Sequence, residues 1–436
     1  ACEAKKEPST LTTSGEELFS NRPVEFTQFF AVAKLKTAPL MQTSSLKRGR
    51  AVISAEQLKE LDAEQAAFLA ELAKVAPEIK VVYKYRFVLN GFALTGPTKD
   101  LDKLKGLAHL ASLETNGGFR RPSAFKTDTA AIAAATSLKE RNSVKFIGAE
   151  NLHGRTAVNA QGVAVALNGT GMKVGVLDTG IDYTHSMMGG SGSEADFKAI
   201  NPDEASAAYP NKKVVGGIDL VGTKFNAASS DFSKRIPKPD ANPIDEGGHG
   251  THVAGSIAGL GDGIATYSGV APGADLYAIK VFGADGSTSD AVVIAGLEYS
   301  ADPNGDGDPS DQLDVVNLSL GSSFGSAKIL YNEAIGNLSN GGTVVVASAG
   351  NEGNVDYITG APAISDEAIS VAASVDDTSH NWEMNAVKIH MPTLGTQLAE
   401  AVEASITIPI AEAGNVQGQF VFAGLADKDF SPELAA

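Results

Sequence analysis

His249 is the residue best equipped for chemistry in this chain. It stands in Gly247-Gly-His-Gly-Thr-His-Val-Ala-Gly-Ser-Ile-Ala-Gly259, ahead of small residues at helical spacing. Upstream, the apolar run Val174-Gly-Val-Leu177 ends in Asp178, and the turn glycine Gly180 follows two residues later. An imidazole, with an ordinary pKa of about 6.5, can take a proton from a hydroxyl and return it to a leaving amine. A carboxylate on its other nitrogen fixes the tautomer and stabilises the imidazolium. The pair is two thirds of an aspartate–histidine–serine relay, met in that chain order. Asp182, in the same motif as Asp178, reads as a structural carboxylate. His249 and His252 also form an H-x-x-H pair. The H-E-x-x-H spacing of a zinc protease and a third ligand are both missing, so zinc is not expected.

Groups so far apart in sequence meet only if a sheet and its helices carry them. From residue 172 onward the apolar runs 172–177, 213–218, 274–282, 313–320, 343–349 and 368–373 alternate with helical patterns at 250–260, 288–300 and 326–339. Fully apolar strands separated by helices predict an α/β fold, a doubly wound parallel sheet covered on both faces. Sites in such sheets gather at the carboxyl ends of the strands. Asp178, Ser319 and Asn351 fall at or just past such ends. Ala254, Gly255, Ala258 and Gly259 are expected to let the helix approach the sheet closely and so fix His249.

Upstream of the sheet the pattern differs. Residues 1–23 are polar and aperiodic, which predicts a flexible tail. A strand is expected at 26–35, then a helix at 56–75 with Leu58, Leu61, Phe68, Leu69 and Leu72 on one face. A strand at 79–89, an Asn90-Gly91 hairpin turn, a strand at 92–95, a helix at 98–110 and a strand at 113–115 complete a β-α-β-β-α-β order, which is ferredoxin-like. Residues 117–150, with Arg120-Arg121-Pro122 and an alanine-rich stretch at 130–135, read as a connector open to nicking. After about residue 384 short strands return, at 404–423, with a turn at Gly414-Asn415.

Four motifs together resemble those of the subtilisin-like serine proteases, the subtilases of peptidase family S8. They are Asp178-Thr-Gly-Ile-Asp182, His249-Gly-Thr-His-Val-Ala-Gly255, Asn317-Leu-Ser-Leu-Gly321 and Ala349-Gly-Asn-Glu-Gly353. The resemblance covers about residues 150–380. It implies that Asp178 and His249 belong to a catalytic triad and that the Asn351 amide donates to the oxyanion. Asn317, Ser319, Leu320 and Gly321 would line the cleft, walling the pocket before the scissile bond, and polypeptides would be the substrates. Residues 24–118 resemble an I9-type prodomain, which implies an intramolecular chaperone and inhibitor cut away after folding. Residues 119–150 would then hold the processing region, 151–384 the N-terminal part of the catalytic domain, and 385–436 the start of a protease-associated insert. No Gly-Thr-Ser-Met-type motif occurs, and Gly286-Ser-Thr-Ser-Asp290 is not one. The expectation is a nucleophilic serine beyond Ala436, and no peptidase activity from these residues alone. The rival reading is a truncated product that binds peptides or inhibits.

Bulk properties fit an exported protein. The net charge is −17, from 52 acidic and 35 basic residues, which argues against nucleic acid as a partner. The 46 glycines exceed the roughly 30 of average usage and suit an α/β protein with many tight turns. In Asp302-Pro-Asn-Gly-Asp-Gly-Asp308, Asp302, Asn304 and Asp306 stand at positions one, three and five of a calcium loop, with Gly307 at six and Asp308 next. Position twelve is Leu313, so an EF-hand is not expected; a surface calcium site and a plain acidic turn both stay open. No cofactor is required, and calcium would be structural. The single cysteine, Cys2, excludes an internal disulfide. Its place resembles the lipid-bearing cysteine of a mature bacterial lipoprotein; the alternative is an unmodified thiol in a loose tail. No apolar run suggests a membrane span, so lipid on Cys2 would be the only tie to a membrane. A secreted or cell-envelope location is expected, with the signal peptide already removed.

Overall fold

In a computed structural model of the chain, the central feature is a six-stranded sheet. The structure describes residues 26–47, 49–115, 118–119, 143–159, 162–261, 268–326, 330–351, 356–374, 386–391 and 395–400. The expected tail at 1–23, the alanine-rich stretch at 130–135 and the strands at 404–423 lie outside them. Residues 1–376 form one compact unit and 377–436 a second.

The sheet runs Val214–Asp219, Asp275–Lys280, Lys173–Asp178, Val315–Leu318, Val344–Ser348, Ala368–Val371, in that spatial order. Every neighbouring pair is parallel. All six carboxyl ends therefore lie on one edge, and the Asp178 strand sits inside the sheet. Four of the six strands are shorter than the apolar runs that predicted them, while Lys173–Asp178 and Val214–Asp219 keep the length of theirs and start one residue later. The run at 313–320, for example, pairs only over Val315–Leu318.

Three helices cover the sheet: His249–Ala258, Asp290–Ala301 and Leu330–Asn340. The Asp290–Ala301 helix buries Ala291, Val292, Val293, Ile294, Ala295 and Leu297. A helix apolar all round must be covered on both sides. Here one side meets the sheet through Leu177 and Ile279, and the other meets residues of the N-terminal part, Tyr83 and Tyr85 among them, in one continuous core.

That N-terminal part is a four-stranded antiparallel sheet, ordered Lys80–Tyr85, Gly91–Pro97, Gln28–Leu35, Leu110–Thr115. The Ala55–Val75 helix starts at a capping box, in which Ser54 accepts the Gln57 N–H and Gln57 accepts the Ser54 N–H. Its buried residues, Leu61, Gln65, Phe68 and Leu72, follow helical spacing. Behind the sheet Phe68 stacks on Phe92 at 5.6 Å between ring centres.

Two expectations here need correction. The helix expected at 98–110 shrinks to a 3-10 turn at Thr98–Asp100 and one turn at Leu101–Leu104. Asn90-Gly91 is not the centre of a tight turn: Tyr85 pairs with Gly91, so 86–90 form the connection. Asn90 is instead a buried tie, donating to the Thr37 carbonyl and Glu64 and accepting from Gln65. Gly91 is required there because a Cβ would lie 2.0 Å from the Ala33 carbonyl oxygen.

In the second unit Ala386–Met391 and Gly395–Glu400 pair as an antiparallel hairpin.

Candidate active site

Asp178 ends its strand fully buried. His249 opens its helix behind Gly248, whose φ of +82° turns the chain into the first turn. The two meet at the carboxyl edge of the sheet. His249 Nδ1 lies 2.8 Å from Asp178 Oδ1 and 3.0 Å from Oδ2. Burial pushes the Asp178 carboxyl above its usual range, against the opposing pull of the His249 bond and the Thr179 N–H. The carboxylate on Nδ1 leaves Nε2 as the nitrogen that can exchange a proton with a substrate-side group.

The close helix–sheet contact comes from a residue the sequence argument passed over. A Cβ on Gly250 would sit 2.1 Å from the Gly180 carbonyl oxygen and 3.1 Å from Asp178 Cβ. Of the residues expected to make that contact, Ala254 and Ala258 are fully buried, but a Cβ on Gly255 would reach only Met188, at 4.0 Å.

Sequence reasoning also missed Asp245, four residues before His249 and 2% exposed. Its Oδ1 accepts the Thr179 hydroxyl at 2.7 Å and the Gly247 and Gly248 N–H groups; its Oδ2 accepts the Thr251 N–H and hydroxyl. One carboxylate thus joins the residue after Asp178 to both sides of His249. Nothing in the sequence sets Asp245 apart from any loop acid. Asp182 has the structural role expected of it, accepting from the Thr184 N–H and hydroxyl. His252 is exposed.

The other candidates lie at the same edge. Asn317 is in its strand and donates to the Ser319 hydroxyl at 2.9 Å. Ser319, Leu320 and Gly321 follow that strand, with Leu320 buried. Asn351 is exposed, three residues past Ser348 at the end of the neighbouring strand. A two-residue strand, Thr288–Ser289, pairs antiparallel with Gly118–Phe119, so a stretch just after the N-terminal sheet already adds a strand to this part of the molecule.

The acidic loop stands apart, folded on its own backbone. Asp302 accepts the Asp306 and Gly307 N–H groups. Asn304 accepts the Asp306 N–H, Asp306 that of Asp308, and Asp308 that of Ser310. Burial raises the Asp302 carboxyl above its usual range. Among the described residues no group of three or more His, Cys, Asp or Glu is arranged to hold a metal ion.

Comparison with known proteins assigns the chain to a family. The Subtilase family profile, Peptidase S8, matches residues 169–418, more than half of the chain. The chain belongs to the subtilase family of serine proteases. It is 29% identical over 296 residues to the minor extracellular protease Vpr of Bacillus subtilis (strain 168), covering 68% of this chain and 30% of that protein. It is 34% identical over 233 residues to subtilisin DY of Bacillus licheniformis, covering 53% and 64%. It is 35% identical over 187 residues to subtilisin Savinase of Lederbergia lenta, covering 43% and 50%. The chain thus spans less than two thirds of the length of each of these relatives. No helix among its described residues is long and apolar enough to cross a membrane.

Proposed function

We propose that this subtilase chain supplies the acid–base half of a serine endopeptidase site. The observation that carries this reading is the His249 Nδ1 bond to the buried Asp178 carboxylate at the carboxyl edge of the sheet. In the proposed reaction His249 Nε2 takes the proton of a seryl hydroxyl as its oxygen attacks the peptide carbonyl. Asp178 holds the ring and balances the imidazolium without taking the proton. The Asn351 amide donates to the oxyanion, and Ser319, Leu320 and Gly321 wall the pocket before the scissile bond. His249 then protonates the leaving amine. Water repeats the cycle on the acyl-enzyme, with His249 again as base.

The N-terminal sheet fits the role of a prodomain that inhibits its own catalytic domain. Its docking supports this reading: the Tyr83 hydroxyl donates to the Leu220 carbonyl, the Tyr85 hydroxyl to the Ala291 carbonyl, and Glu298 accepts three backbone N–H groups from Arg86, Phe87 and Val88. A second reading, a peptide-binding or inhibitory protein, draws on the lack of any Gly-Thr-Ser-Met-type motif among the 436 residues.

The two separate in an assay of peptide-amide hydrolysis. The 436 residues alone should give no turnover, and a longer form carrying a Gly-Thr-Ser motif should give turnover that a serine-directed fluorophosphonate stops and His249→Ala abolishes. A longer form that stays inert after removal of residues 24–118 would favour the binding reading. Turnover by the 436 residues themselves, blocked by the same reagent, would overturn the assignment of the nucleophile.

A further inference from the structure

We propose that Lys280 is a positioning residue for His249, an inference that rests on the Asp178–His249 reading above. Lys280 ends the strand beside Asp178 and is fully buried. It pairs in register with Asp178 on one side and Asp219 on the other. The backbone at this point is tied to both neighbours: the N–H of the next residue, Val281, donates to the Asp178 carbonyl, and the Lys280 carbonyl accepts the Leu220 N–H. Its ammonium reaches across to the loop that leads into the His249 helix, donating to the Ile244 carbonyl at 2.8 Å and Glu246 Oε2 at 2.9 Å.

Those two acceptors flank Asp245, the carboxylate that holds Thr179, Gly247, Gly248 and Thr251. The loop is therefore clamped at three successive residues, and His249 follows three residues later. A buried ammonium is costly where an apolar chain would pack freely, so its bonds indicate what it is for. Its charge also acts on Asp219 on the neighbouring strand, but its hydrogen bonds among the described residues do not go there. That carboxyl is fully buried and pushed up to about 7 by burial, with Lys280 pulling it back, yet its Oδ2 has no hydrogen-bond partner among the described residues. The ammonium's bonds go instead to the approach to His249. The geometry therefore makes Lys280 the strut that sets the distance between the strand tip bearing Asp178 and the loop bearing His249.

Proton NMR of the whole chain, labelled with 15N at histidine, tests this without any turnover. The His249 Nδ1 proton shared with Asp178 gives a far-downfield line, identified by its disappearance in His249→Gln. Lys280→Met and Glu246→Ala should each speed exchange of that proton with water by about tenfold or more, as local opening exposes it. Glu246→Gln, whose amide oxygen still accepts from the ammonium, should keep the parent line. Glu246 is 21% exposed at its side chain, so its two variants carry the test even where Lys280→Met fails to fold. Parent-like exchange in folded Lys280→Met and Glu246→Ala would overturn the inference, as would equal loss in Glu246→Gln and Glu246→Ala. A parent spectrum with no line that His249→Gln removes would instead sink the Asp178–His249 reading itself.

Discussion

The Thr179 hydroxyl donates to Asp245 Oδ1 at 2.7 Å and in turn accepts the Gly250 N–H at 2.9 Å. The residue after the buried carboxylate is thereby bonded both to the acid before His249 and to the residue after it. Asp245→Ala leaves five donors without their acceptor: the Thr179 hydroxyl is buried, while those of Gly247, Gly248 and Thr251 lie where water has some access. Buried donors left unpaired cost about 1–3 kcal/mol each where water cannot reach them, and partial relaxation reduces the sum. Urea denaturation should therefore show a loss of about 3 kcal/mol. A loss below about 1 kcal/mol would mean that the loop repacks and that Asp245 does not hold it.

Gly250 and Gly255 give a paired test of what brings the helix onto the strand. Gly250→Ala forces a Cβ to within 2.1 Å of the Gly180 carbonyl oxygen, a backbone atom with no flexible end to yield. The expected cost is about 3 kcal/mol, since the helix must move off the strand tip. In Gly255→Ala the new Cβ touches nothing nearer than 4.0 Å, and alanine raises helix propensity. That variant should gain up to about 1 kcal/mol. Melting temperatures of the two variants, falling for one and rising for the other, decide the matter.

The contrast between these glycines marks how far the sequence could be read. The six strands and three helices were legible because continuous apolar runs and helical spacing report burial directly. Asp178 and His249 were legible because each stands where a run ends in a turn glycine or a glycine-flanked helix start. Gly250 and Gly255 differ only in what lies opposite, and no periodicity encodes that. Asn90-Gly91 carried the strongest local turn signal, yet contacts from Thr37, Glu64 and Gln65 outweighed it. Lys280 did leave a trace, as a lysine within the apolar run 274–282. A charge where the pattern demands burial is a reason to look for its partners.

Glu298 gives the seam between the N-terminal sheet and the Asp290–Ala301 helix a pH dependence. Its carboxyl is pushed up to about 7 by burial, against the pull of three backbone N–H groups and Arg86. Undocked, it would titrate in the ordinary glutamate range. Docking therefore takes up a proton between about pH 4.5 and 7, and stability at the seam falls as pH rises through that window. The side chain keeps some exposure, which holds the swing to about 1–2 kcal/mol. Arg86, the charged group that acts on it, also pairs with Asp62 and Asp302. Glu298→Gln should flatten this part of the urea midpoint against pH between 4 and 8. A slope equal to that of the parent would show that another group sets the dependence, with Asp219, also pushed up to about 7, first in line.

The pairing of Gly118–Phe119 with Thr288–Ser289 bears on what else can occupy that edge. Phe119 stands opposite Thr288, and Gly118 opposite Ser289. A strand edge accepts an extended peptide through main-chain hydrogen bonds, and only one strand can fill it at a time. If this pairing blocks the edge, removing its donors should open it. Proline at both 118 and 119 deletes both N–H groups and forbids the ladder. A labelled peptide copying residues 115–122 should then bind at least about tenfold tighter to the double-proline variant than to the parent, a gain of about 1.4 kcal/mol. Fluorescence anisotropy measures the two affinities. Equal affinities would mean that the Gly118–Phe119 strand does not compete with outside peptides for this edge, and any inhibition by the N-terminal part would not act through it.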